Sequence, residues 1–489
     1  MSKKPFISIV IPTRDRYETL SFTIETILQQ DFEDYEIIIS DNNSSVETKQ
    51  IIDYIDSSKI KYIRSNIDLS LCDSWEQAVS NARGEYIMGM ADNDGIIMGA
   101  LSFLVSLIKL HNTPLLINFV KNGYHWPCLE ETIKNTLFLH TNPSIHLVNG
   151  ISLIQEVIDN NKTFYKLPML YNSIVHYSLI EKMKKKTGRI FNSVTADVYS
   201  GFCLAYLTKN YISISQPITI AGNSSKSLGV NYTRNNGKII QRESKSRKKS
   251  SIQLDSITPC VISHSAHIAD AFLQSKRNLS MKNFIFDRKK MIEETISDLT
   301  VFTKENLQES IKIILRSCED DKILLKYTKN HLSNNPPKIS IPTKNKIIVG
   351  FNKNKLILNG DNFACNNILD VSKLMSNFYD YSLNTINYIE VIEKFDNLKK
   401  NSKIAIWGNG EYGKILQEKL SELRSDVKII CIIDSFKEDS SSAPKVVTPD
   451  NISQDIDYVV IASSYVVDIS KIIYKLKIFD NITILRFNK

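Results

Sequence analysis

The sequence predicts an α/β protein with a mainly parallel sheet, a helical middle segment and a small second α/β unit at the C-terminus. Between Phe6 and Phe119, short β-branched runs alternate with amphipathic stretches, which is typical of parallel strands covered by helices on both faces. Residues 262–335 have the periodicity of helices with polar faces, and a second alternation begins near Ser402. A chain of 489 residues exceeds what one hydrophobic core usually covers, so two or three domains are expected.

The N-terminal elements can be assigned from their apolar periodicity. The predicted strands are FISIVIP, YEIIIS, IKYIRS, EYIMGM and LLINF, and the predicted helices are ETLSFTIETILQQ, VETKQIIDYIDS and SWEQAVSNAR. Residues 120 to about 236 mix strand and helix less regularly. Three prolines in SNNPPKISIPTKN then mark a linker or boundary after the helical segment.

Composition and charge indicate a folded, soluble protein. Hydrophobic residues make up 42% of the chain and charged residues 23%, a balance that disordered chains lack. The net charge of +8 is too small to argue for nucleic acid as a partner. One basic cluster, KIIQRESKSRKKS at residues 238–250, is either a solvated linker or a contact with an anionic membrane surface.

Cysteine spacing and hydropathy point to the cytoplasm. The seven cysteines are scattered, odd in number and never form C-x-x-C, so neither zinc nor a disulfide framework is expected. The apolar run at the N-terminus is too short for a signal peptide, and no stretch approaches about 20 uninterrupted apolar residues. We therefore expect a cytoplasmic protein whose contact with a membrane, if there is one, is peripheral.

Three predicted strands end in polar residues, where ligands bind in doubly wound sheets. FISIVIPTRDR ends in Pro12, Thr13 and Arg14, YEIIISDNNSS ends in Asp41, and EYIMGMADND ends in Asp92 and Asp94. A carboxylate at the position of Asp41 can accept the imide N–H of a uracil or thymine ring. The sequence thus predicts a ligand site at one edge of the sheet, with Asp41 as a candidate contact for a pyrimidine.

Two capping-box spacings follow the same strands. Asp15 precedes Glu18 by three residues, and Ser44 precedes Glu47 by three residues. This spacing predicts that Asp15 and Ser44 cap the helices that begin there.

The pair Asp92 and Asp94 allows two interpretations. Asp94 followed by Gly95 is typical of a turn, whereas two close carboxylates favour a bound divalent cation because they repel each other. An EF-hand loop is excluded, since its obligatory glycine at Gly95 would place Met90 and Leu101 at ligand positions. A D-x-D pair that holds Mg²⁺ or Mn²⁺ on the diphosphate of a substrate remains.

In this order, ISIVIPTRDR, EIIISDNNSS and NARGEYIMGMADND resemble the nucleotide-sugar half of the family 2 glycosyltransferases with the GT-A fold, over residues 5–235. The resemblance implies that Pro12, Thr13 and Arg14 lie along the nucleoside, and that Asp41 holds the pyrimidine. It places Asp92 at the ribose or diphosphate and Asp94 on the metal. Many relatives carry an unbroken acidic run here, and Asn93 interrupts it, so Asp92 is an alternative metal ligand.

The resemblance also implies a catalytic base on the acceptor side. In KTGRIFNSVTADVYSGFCLAYL, Asp197 precedes an amphipathic stretch about a hundred residues after the D-x-D pair. Its alternative role is a plain helix N-cap. As a base, Asp197 would remove the proton of an acceptor hydroxyl while the bond from C1 to the nucleotide diphosphate breaks, with inversion at the anomeric carbon.

Two further segments have open interpretations. ITIAGNSSKSLGVNYTR surrounds Lys226 with glycines and serines, and is either a surface loop or a mobile lid whose N–H groups and Lys226 bind phosphates. NGYHW places Trp126 either against a sugar or in the core.

The C-terminal unit contains a glycine-rich turn between a strand and a helix. KIAIWGNGEYGKILQEKL carries Gly408, Gly410 and Gly413, and VKIICIIDS ends in Asp434 about twenty residues later, the arrangement of a dinucleotide-binding unit. It resembles small Rossmann-like modules attached to bacterial sugar-processing enzymes. A nucleotide-type ligand, a structural or assembly role that includes self-association as a homo-oligomer, and redox catalysis stay open. No Tyr-x-x-x-Lys is found to serve a hydride transfer.

Together these observations and the resemblance predict a glycosyltransferase domain at 1–236, with its nucleotide-sugar half at 5–119 and its acceptor half at 120–236. A basic linker at 237–261, a helical segment at 262–335, a linker or small subdomain at 336–401 and a Rossmann-like domain at 402–489 are expected to follow. The expected activity is metal-dependent, inverting transfer of a sugar from a UDP- or dTDP-sugar to a hydroxyl of a glycan or lipid-linked glycan in bacterial surface-polysaccharide synthesis. The alternative is a catalytically silent nucleotide-sugar-binding or scaffolding protein.

Overall fold

The computed structural model describes residues 4–111, 113–141, 144–227, 252–301, 303–340, 347–352, 355–379, 381, 389–392, 398–435, 438–439, 441–452, 455–462 and 483–487. The predicted basic cluster at 238–250 and the part of the predicted lid after Ser227 lie outside the described residues.

The N-terminal unit opens with strands that alternate with helices. These elements are β1 (Ile7–Thr13), α1 (Tyr17–Leu28), β2 (Tyr35–Asp41), α2 (Val46–Ile55), β3 (Ile60–Arg64), α3 (Leu71–Ser80) and β4 (Tyr86–Gly89). The strands are parallel in the order β3, β2, β1, β4, which confirms the predicted sheet. Thr13 and Asp41 are paired in the register of β1 and β2, so these two strands end side by side.

Both faces of this sheet are buried. Along β1, Ile7, Ile9 and Ile11 belong to one apolar cluster, while Val10 belongs to a second cluster on the other face. A continuous apolar run, rather than an alternating one, is what a parallel strand between two helical layers requires.

The second half of the unit adds mixed elements. They are β5 (Gly95–Ile96), α4 (Ala100–Leu110), β6 (Leu116–His125), β7 (Thr136–His140), β8 (Ile145–Asn149), α5 (Gly150–Ile158), β9 (Ser173–His176), α6 (Tyr177–Thr187), α7 (Ala196–Thr208) and β10 (Asn210–Asn223). Strand β9 runs antiparallel between β4 and β6. Strand β10 is parallel to β6 with a register break between Ile214 and Thr219, and beyond the break it pairs with β5. This break brings the end of β10 beside the turn that follows β4.

The middle segment is helical, as predicted. It contains α8 (His264–Asn278), α9 (Arg288–Ser297), α10 (Lys304–Arg316) and α11 (Lys322–Asn334). Helix α8 packs on α7, where Phe272 meets Phe202 edge-on at 5.4 Å between ring centroids. Ile292, Ile296 and Ile314 form part of a separate small core. In the part of the chain that the structure describes, no helix has the length and hydropathy to span a membrane.

Residues 350–381 return to the N-terminal core. Strand β12 (Lys355–Asn359), which forms a hairpin with β11 (Gly350–Asn352), pairs antiparallel with β7. Helix α12 (Ile368–Ser376) buries Ile368, Val371 and Met375 completely in the cluster that contains β1 and α1. The segment that the sequence predicts as a linker or small subdomain therefore completes the core of the first unit.

The C-terminal unit is a second, smaller parallel sheet. It contains β13 (Ile389–Ile392), β14 (Lys403–Trp407), α13 (Glu411–Leu423), β15 (Lys428–Ile433), β16 (Lys445–Val447), β17 (Tyr458–Ile461) and β18 (Thr483–Phe487). The order is β16, β15, β14, β17, β18, β13, with every pair parallel. This confirms the predicted small α/β fold.

Replacing Ile368 by alanine tests whether α12 belongs to the N-terminal core. The side chain is fully buried and lies against Gly95, so its truncation leaves a cavity and should lower the free energy of unfolding by about 2–5 kcal/mol. Urea denaturation in a Trp407→Phe background reports the first unit alone, through Trp75 and Trp126. The matched control Ile323→Ala, at a position 85% exposed, should change it by less than about 0.5 kcal/mol. Equal effects of the two variants would contradict the assignment.

Candidate active site

A cavity of about 540 Å³ opens at the carboxyl ends of β1 and β4. Its wall contains the residues after β1, the turn after β4, one residue of β6, the first turn of α7 and the end of β10. The cavity brings together most of the predicted site: Pro12, Thr13, Arg14, Asp92, Asp94, Asp197 and Lys226.

Asp92 is held by the last residue of β1 and by a residue of the loop that follows it. Its side chain is buried, Oδ2 accepts a hydrogen bond from Thr13 Oγ1 at 2.8 Å, and Oδ1 pairs with Arg16 Nη1 at 2.9 Å. Arg16 also donates from Nη2 to the carbonyl of Lys226 at 2.8 Å. Arg16, which sequence reasoning did not single out, thus joins the acidic turn to the segment after β10.

Asp94 is held by β6 and β10. Its Oδ2 lies 2.5 Å from Nζ of Lys121, and its Oδ1 accepts the backbone N–H of Gly222 at 2.9 Å. Both Asp94 and Lys121 are largely buried, with side chains 5% and 10% exposed. A cation therefore already faces each carboxylate of the pair.

Asn93 forms hydrogen bonds with the end of β10 and with the residues that follow it. Its Nδ2 donates to the carbonyl of Gly222 at 2.7 Å and to Oγ of Ser227 at 2.9 Å, and its own carbonyl accepts from Nε1 of Trp126 at 3.1 Å. The N–H of Asp94 donates to the carbonyl of Ala91 at 3.1 Å and closes a turn, and Asp92 and Asp94 both line the cavity. The ligand interpretation of the pair stays a prediction. A third acid in place of Asn93 could not donate to these acceptors.

Lys226 lies at the cavity rim and has partners within the protein. Its Nζ lies 2.8 Å from the carboxylate of Glu18 and donates to the carbonyl of Asp15 at 3.0 Å. The side chain is nonetheless 46% exposed. A phosphate bound in the cavity would have to compete with Glu18 for this ammonium, so the phosphate role of Lys226 stays a prediction.

Arg14 and Asp41 both make contacts inside the protein. Arg14 pairs with Asp68 at 2.7 Å and lines the cavity next to Pro12. The side chain of Asp41 is fully buried: it accepts from the N–H of Ser44 at 2.8 Å, from the hydroxyl of Tyr62 at 2.5 Å and from Nη1 of Arg64 at 3.1 Å.

The next residue after Asp41, Asn42, is among those that line the cavity. The contact between Asp41 and a pyrimidine stays a prediction, since the buried carboxylate already accepts three hydrogen bonds within the protein.

The predicted capping boxes are wrong. Helix α1 begins after Arg16 and α2 after Ser45, and neither N-cap makes a side-chain hydrogen bond. Instead, Asp15 Oδ1 accepts from the N–H of Ser45 at 2.9 Å, and the N–H of Asp15 donates to Oγ of Ser44 at 3.0 Å. Tertiary bonds between the loops after β1 and β2 have replaced the local caps.

Asp197 lies in the first turn of α7 and is not the N-cap, since the cap position is Thr195. Its Oδ1 accepts the N–H of Val198 at 2.9 Å. Burial raises the pKa of Asp197 above 3.8, while hydrogen bonds from the backbone and the charge of Lys121 oppose that shift. A carboxylate whose pKa is raised toward neutrality is better matched to taking a proton.

Aromatic side chains form part of the cavity surroundings. Trp126 is 5% exposed and packs between Phe22 and Tyr124, so the core interpretation of NGYHW holds. Tyr171, which sequence reasoning missed, lines the cavity with its ring beneath Nζ of Lys121 at 4.5 Å. Burial, and then the charge of Asp197, raises the pKa of Tyr171 well above 10, which keeps the phenol protonated.

Asp92 and Asp94 are the side chains of the acidic turn that could hold a divalent metal. Among the described residues, no three His, Cys, Asp or Glu side chains form a group that could hold a metal ion. Asp92 and Asp94 supply hard oxygen donors of the kind that Mg²⁺ and Mn²⁺ prefer, and such ions commonly take their other ligands from substrate phosphates and water. The donor set therefore suits a metal shared with a diphosphate rather than one caged by protein alone.

The glycine turn of the C-terminal unit has the expected close packing. A Cβ at Gly413 would lie 1.9 Å from the carbonyl oxygen of Gly408, and Gly408 has a φ of 135°. A Cβ at Gly410 would meet no heavy atom within 4 Å. Strands β14 and β15 are adjacent and parallel, so this turn and Asp434 lie at the same edge of the sheet. A nucleotide-type ligand at this turn stays a prediction.

Two family models match the chain. Residues 8–117 match the glycosyl transferase family 2 model, and residues 400–484 match the model described as C2185-like, N-terminal. The first match covers β1 to β6 and hence the acidic turn. The second coincides with most of the C-terminal unit.

Similar proteins occur among bacterial sugar transferases. The chain is 36% identical over 104 residues to a GalNAc(5)-diNAcBac-PP-undecaprenol beta-1,3-glucosyltransferase of Campylobacter jejuni, which is 21% of this chain and 34% of that protein. It is 34% identical over 96 residues to the putative colanic acid biosynthesis glycosyl transferase WcaA of Escherichia coli, which is 19% of this chain and 34% of that protein. The chain thus spans about a third of the length of these curated relatives.

Among solved structures, Staphylococcus aureus TarS 1–349 in complex with UDP-GlcNAc aligns with 67% of this chain and 88% of its own, at 14% identity and a TM-score of 0.39. The Pyrobaculum calidifontis mannosyltransferase PcManGT in complex with GDP-Man and Mn²⁺ aligns with 78% of this chain and 89% of its own, at 10% identity and a TM-score of 0.31.

Replacing Gly222 by alanine tests the contact between the acidic turn and β10. The added Cβ would lie 1.7 Å from the carbonyl oxygen of Asn93, so the two backbones must separate, and we expect a loss of about 1–3 kcal/mol in stability. Differential scanning calorimetry should record a lower midpoint. Gly410→Ala, whose Cβ meets open space at a φ of −90°, should leave the midpoint of the N-terminal unit unchanged. A wild-type midpoint for Gly222→Ala would disprove the close approach.

Proposed function

We propose that this protein, whose residues 8–117 match the glycosyl transferase family 2 model, transfers a sugar from a UDP- or dTDP-sugar to a hydroxyl of a lipid-linked glycan with inversion at the anomeric carbon. The observation that carries the proposal is the common cavity of Asp92, Asp94 and Asp197. Asp92 and Asp94 could hold a divalent metal on a diphosphate, and Asp197 lines the same space as a carboxylate that could take a proton.

Asp197 is the proposed general base. The acceptor oxygen attacks C1 of the sugar as the bond from C1 to the diphosphate oxygen breaks, and that bonding pair leaves with the diphosphate. The hydroxyl proton passes to a carboxylate oxygen of Asp197. The raised pKa of Asp197 supports this role because a base too acidic to hold the proton would transfer it poorly.

The leaving diphosphate needs positive charge, and we propose that Arg16, Lys121 and Lys226 supply part of it. Each of these side chains lines the cavity. A Mg²⁺ or Mn²⁺ ion held by Asp94 and Asp92 would stabilise the remaining charge on the diphosphate. Both residues are proposed as metal ligands, and either of them could be the main one.

For the nucleoside we propose the wall made by Pro12, Thr13, Arg14 and Asn42. Arg14 pairs with Asp68, and Thr13 donates a hydrogen bond to Asp92, so two side chains of this wall already have partners that hold them in place. Asp41 would support it by holding Arg64 and the Ser44 amide, or contact the pyrimidine directly after a rearrangement of those bonds. Asp41→Asn distinguishes the two roles. If Asp41 contacts the pyrimidine directly, the variant should bind uridine more weakly while its free energy of unfolding changes little, whereas a supporting role should lower both.

The proposed acceptor is a glycan on a polyprenyl diphosphate, in the synthesis of a bacterial surface polysaccharide at the inner face of the membrane. It is supported by the names of two relatives, which act on PP-undecaprenol-linked glycan or in colanic acid biosynthesis. The C-terminal sheet is proposed as an assembly module or a nucleotide site built on Gly408, Gly410, Gly413 and Asp434.

A second candidate function is nucleotide-sugar binding without transfer. It is favoured by the cations that already lie against both acidic side chains, Arg16 on Asp92 and Lys121 on Asp94. Thermal-shift measurements with UDP-glucose, UDP-GlcNAc, UDP-GalNAc and dTDP-rhamnose, with and without Mn²⁺, identify a donor for either function, because a ligand of the native state raises the midpoint. Stabilisation by a donor without any release of nucleotide diphosphate would select this second function.

Asp197→Asn should reduce release of UDP or dTDP from the donor so identified by about 10²–10⁴-fold, since the isosteric amide cannot take the proton. Coupled detection of nucleotide diphosphate with a membrane extract as the acceptor source checks this. Asp53→Asn, on the surface and paired with Lys49, is the matched control and should retain full activity. If Asp197→Asn and Asp94→Ala both release nucleotide at the wild-type rate, the proposed enzyme is wrong.

The pH profile should reveal the same carboxylate. The base works only when ionised, and its folded pKa is raised, so kcat/KM should be maximal above that pKa and fall as the pH drops through it. The decline should begin at a higher pH than the pKa of about 3.9 of an exposed aspartate would give. Initial rates between about pH 4 and 9 measure it. A profile that stays flat to the acid end would exclude Asp197 as the base.

A further inference from the structure

Lys121, one of the three cations proposed above for the leaving diphosphate, already pairs with a carboxylate of the acidic turn. It stands in β6, in the run LINFVKNGYH, and its side chain is 10% exposed. Its Nζ contacts Asp94 Oδ2 at 2.5 Å and lies 4.5 Å from the centre of the Tyr171 ring. The ammonium thus contacts Oδ2 of Asp94, while Oδ1 of the same carboxylate accepts the N–H of Gly222.

This position matters to a metal because the carboxylates offer few free oxygens. Asp94 Oδ1 is bonded to Gly222 N–H, and both oxygens of Asp92 accept from Thr13 and Arg16. A divalent ion that binds Asp94 at Oδ2 must therefore displace the Lys121 ammonium. The displaced ammonium would remain next to the ion inside a largely buried site, where two like charges repel.

A bound diphosphate removes that penalty. Without it, the charged side chains that line the cavity already balance: the carboxylates of Asp15, Asp92, Asp94 and Asp197 are matched in number by the cations Arg14, Arg16, Lys121 and Lys226. A divalent ion alone would therefore leave an excess of positive charge. The diphosphate adds negative charge that both the metal and the displaced ammonium can contact. The Tyr171 ring offers the ammonium a second favourable neighbour as it leaves Asp94.

We propose that Lys121 competes with the divalent metal for Asp94 and thereby makes metal binding depend on the diphosphate of the donor. In the free protein the Lys121 ammonium lies where the metal would bind Asp94. When the donor is bound, the ammonium contacts the diphosphate instead, and the metal binds Asp94. This inference rests on the proposed function in one respect, the identity of the diphosphate ligand. It assigns to Lys121 a positioning role that sets the order in which metal and donor bind.

The test measures binding of Mn²⁺ alone, by the electron paramagnetic resonance signal of the free ion, to the full-length protein. Lys121→Met removes the competing charge at similar volume, and we expect it to bind Mn²⁺ about tenfold more tightly than wild type. Lys121→Arg keeps a cation on Asp94 and should bind as weakly as wild type. Lys134→Met, at an exposed pair with Glu131, is the matched control and should also match wild type.

Two further arms make each outcome decisive. Adding Asp94→Asn to Lys121→Met should abolish the gain, because the gain requires the carboxylate that the lysine releases. In the wild type, saturating UDP should raise the affinity for Mn²⁺ by at least about tenfold, and in Lys121→Met by less. The wild-type arm applies even if a variant fails to fold, as judged by circular dichroism.

Unchanged or weaker Mn²⁺ binding by folded Lys121→Met, a gain that survives Asp94→Asn, or no effect of UDP on Mn²⁺ affinity in the wild type would each overturn the inference. These results are separable from the fate of the proposed function. A gain in Lys121→Met with no release of nucleotide by any form sinks the transferase and leaves the competition standing. Normal release with no gain sinks the competition alone.

Discussion

Two carboxylates can lie buried on either side of a single residue here because a separate cation lies against each of them. Arg16 comes from the loop after β1 and Lys121 from β6, so the charge pairs join elements that are far apart in the sequence. The N–H of Gly222 and the amide of Asn93 add the end of β10 to the same point. The geometry of the cavity therefore depends on the contacts that neutralise the two carboxylates of this turn.

Much of the first unit could be predicted because its information is local. The β-branched runs and the intervening helical periodicity predict β1 to β4, and polar residues at strand ends predict the edge where Thr13, Asp92 and Asp94 meet. Asp197 was found only through resemblance, since an aspartate before a helix is more simply an N-cap. The structure instead places it within the first turn of α7, two residues after the N-cap Thr195, where it lines the cavity.

What could not be predicted depends on contacts across the fold. A single lysine in an apolar strand, such as Lys121, carries a weak signal, because nothing in its neighbours tells which carboxylate it meets. The same holds for Arg16 and for Tyr171. The capping spacing of Asp15 and Ser44 was misleading for a related reason: bonds between two loops satisfied the groups that local caps would have used. No local sequence pattern predicts that α12 packs on α1 either.

The return of residues 350–381 to the first core has a consequence for how the chain is made. Ile368, Val371 and Met375 fill a core whose described members before residue 350 end at β10, so on the ribosome that core stays open while more than a hundred further residues are added. The helices α8 to α11 emerge in that interval, and α8 can pack on α7 before α12 exists. Closing the core late, through contacts of large sequence separation, is intrinsically slow. The nascent first unit would meanwhile expose apolar surface, and a chain ended before α12 would carry that surface permanently.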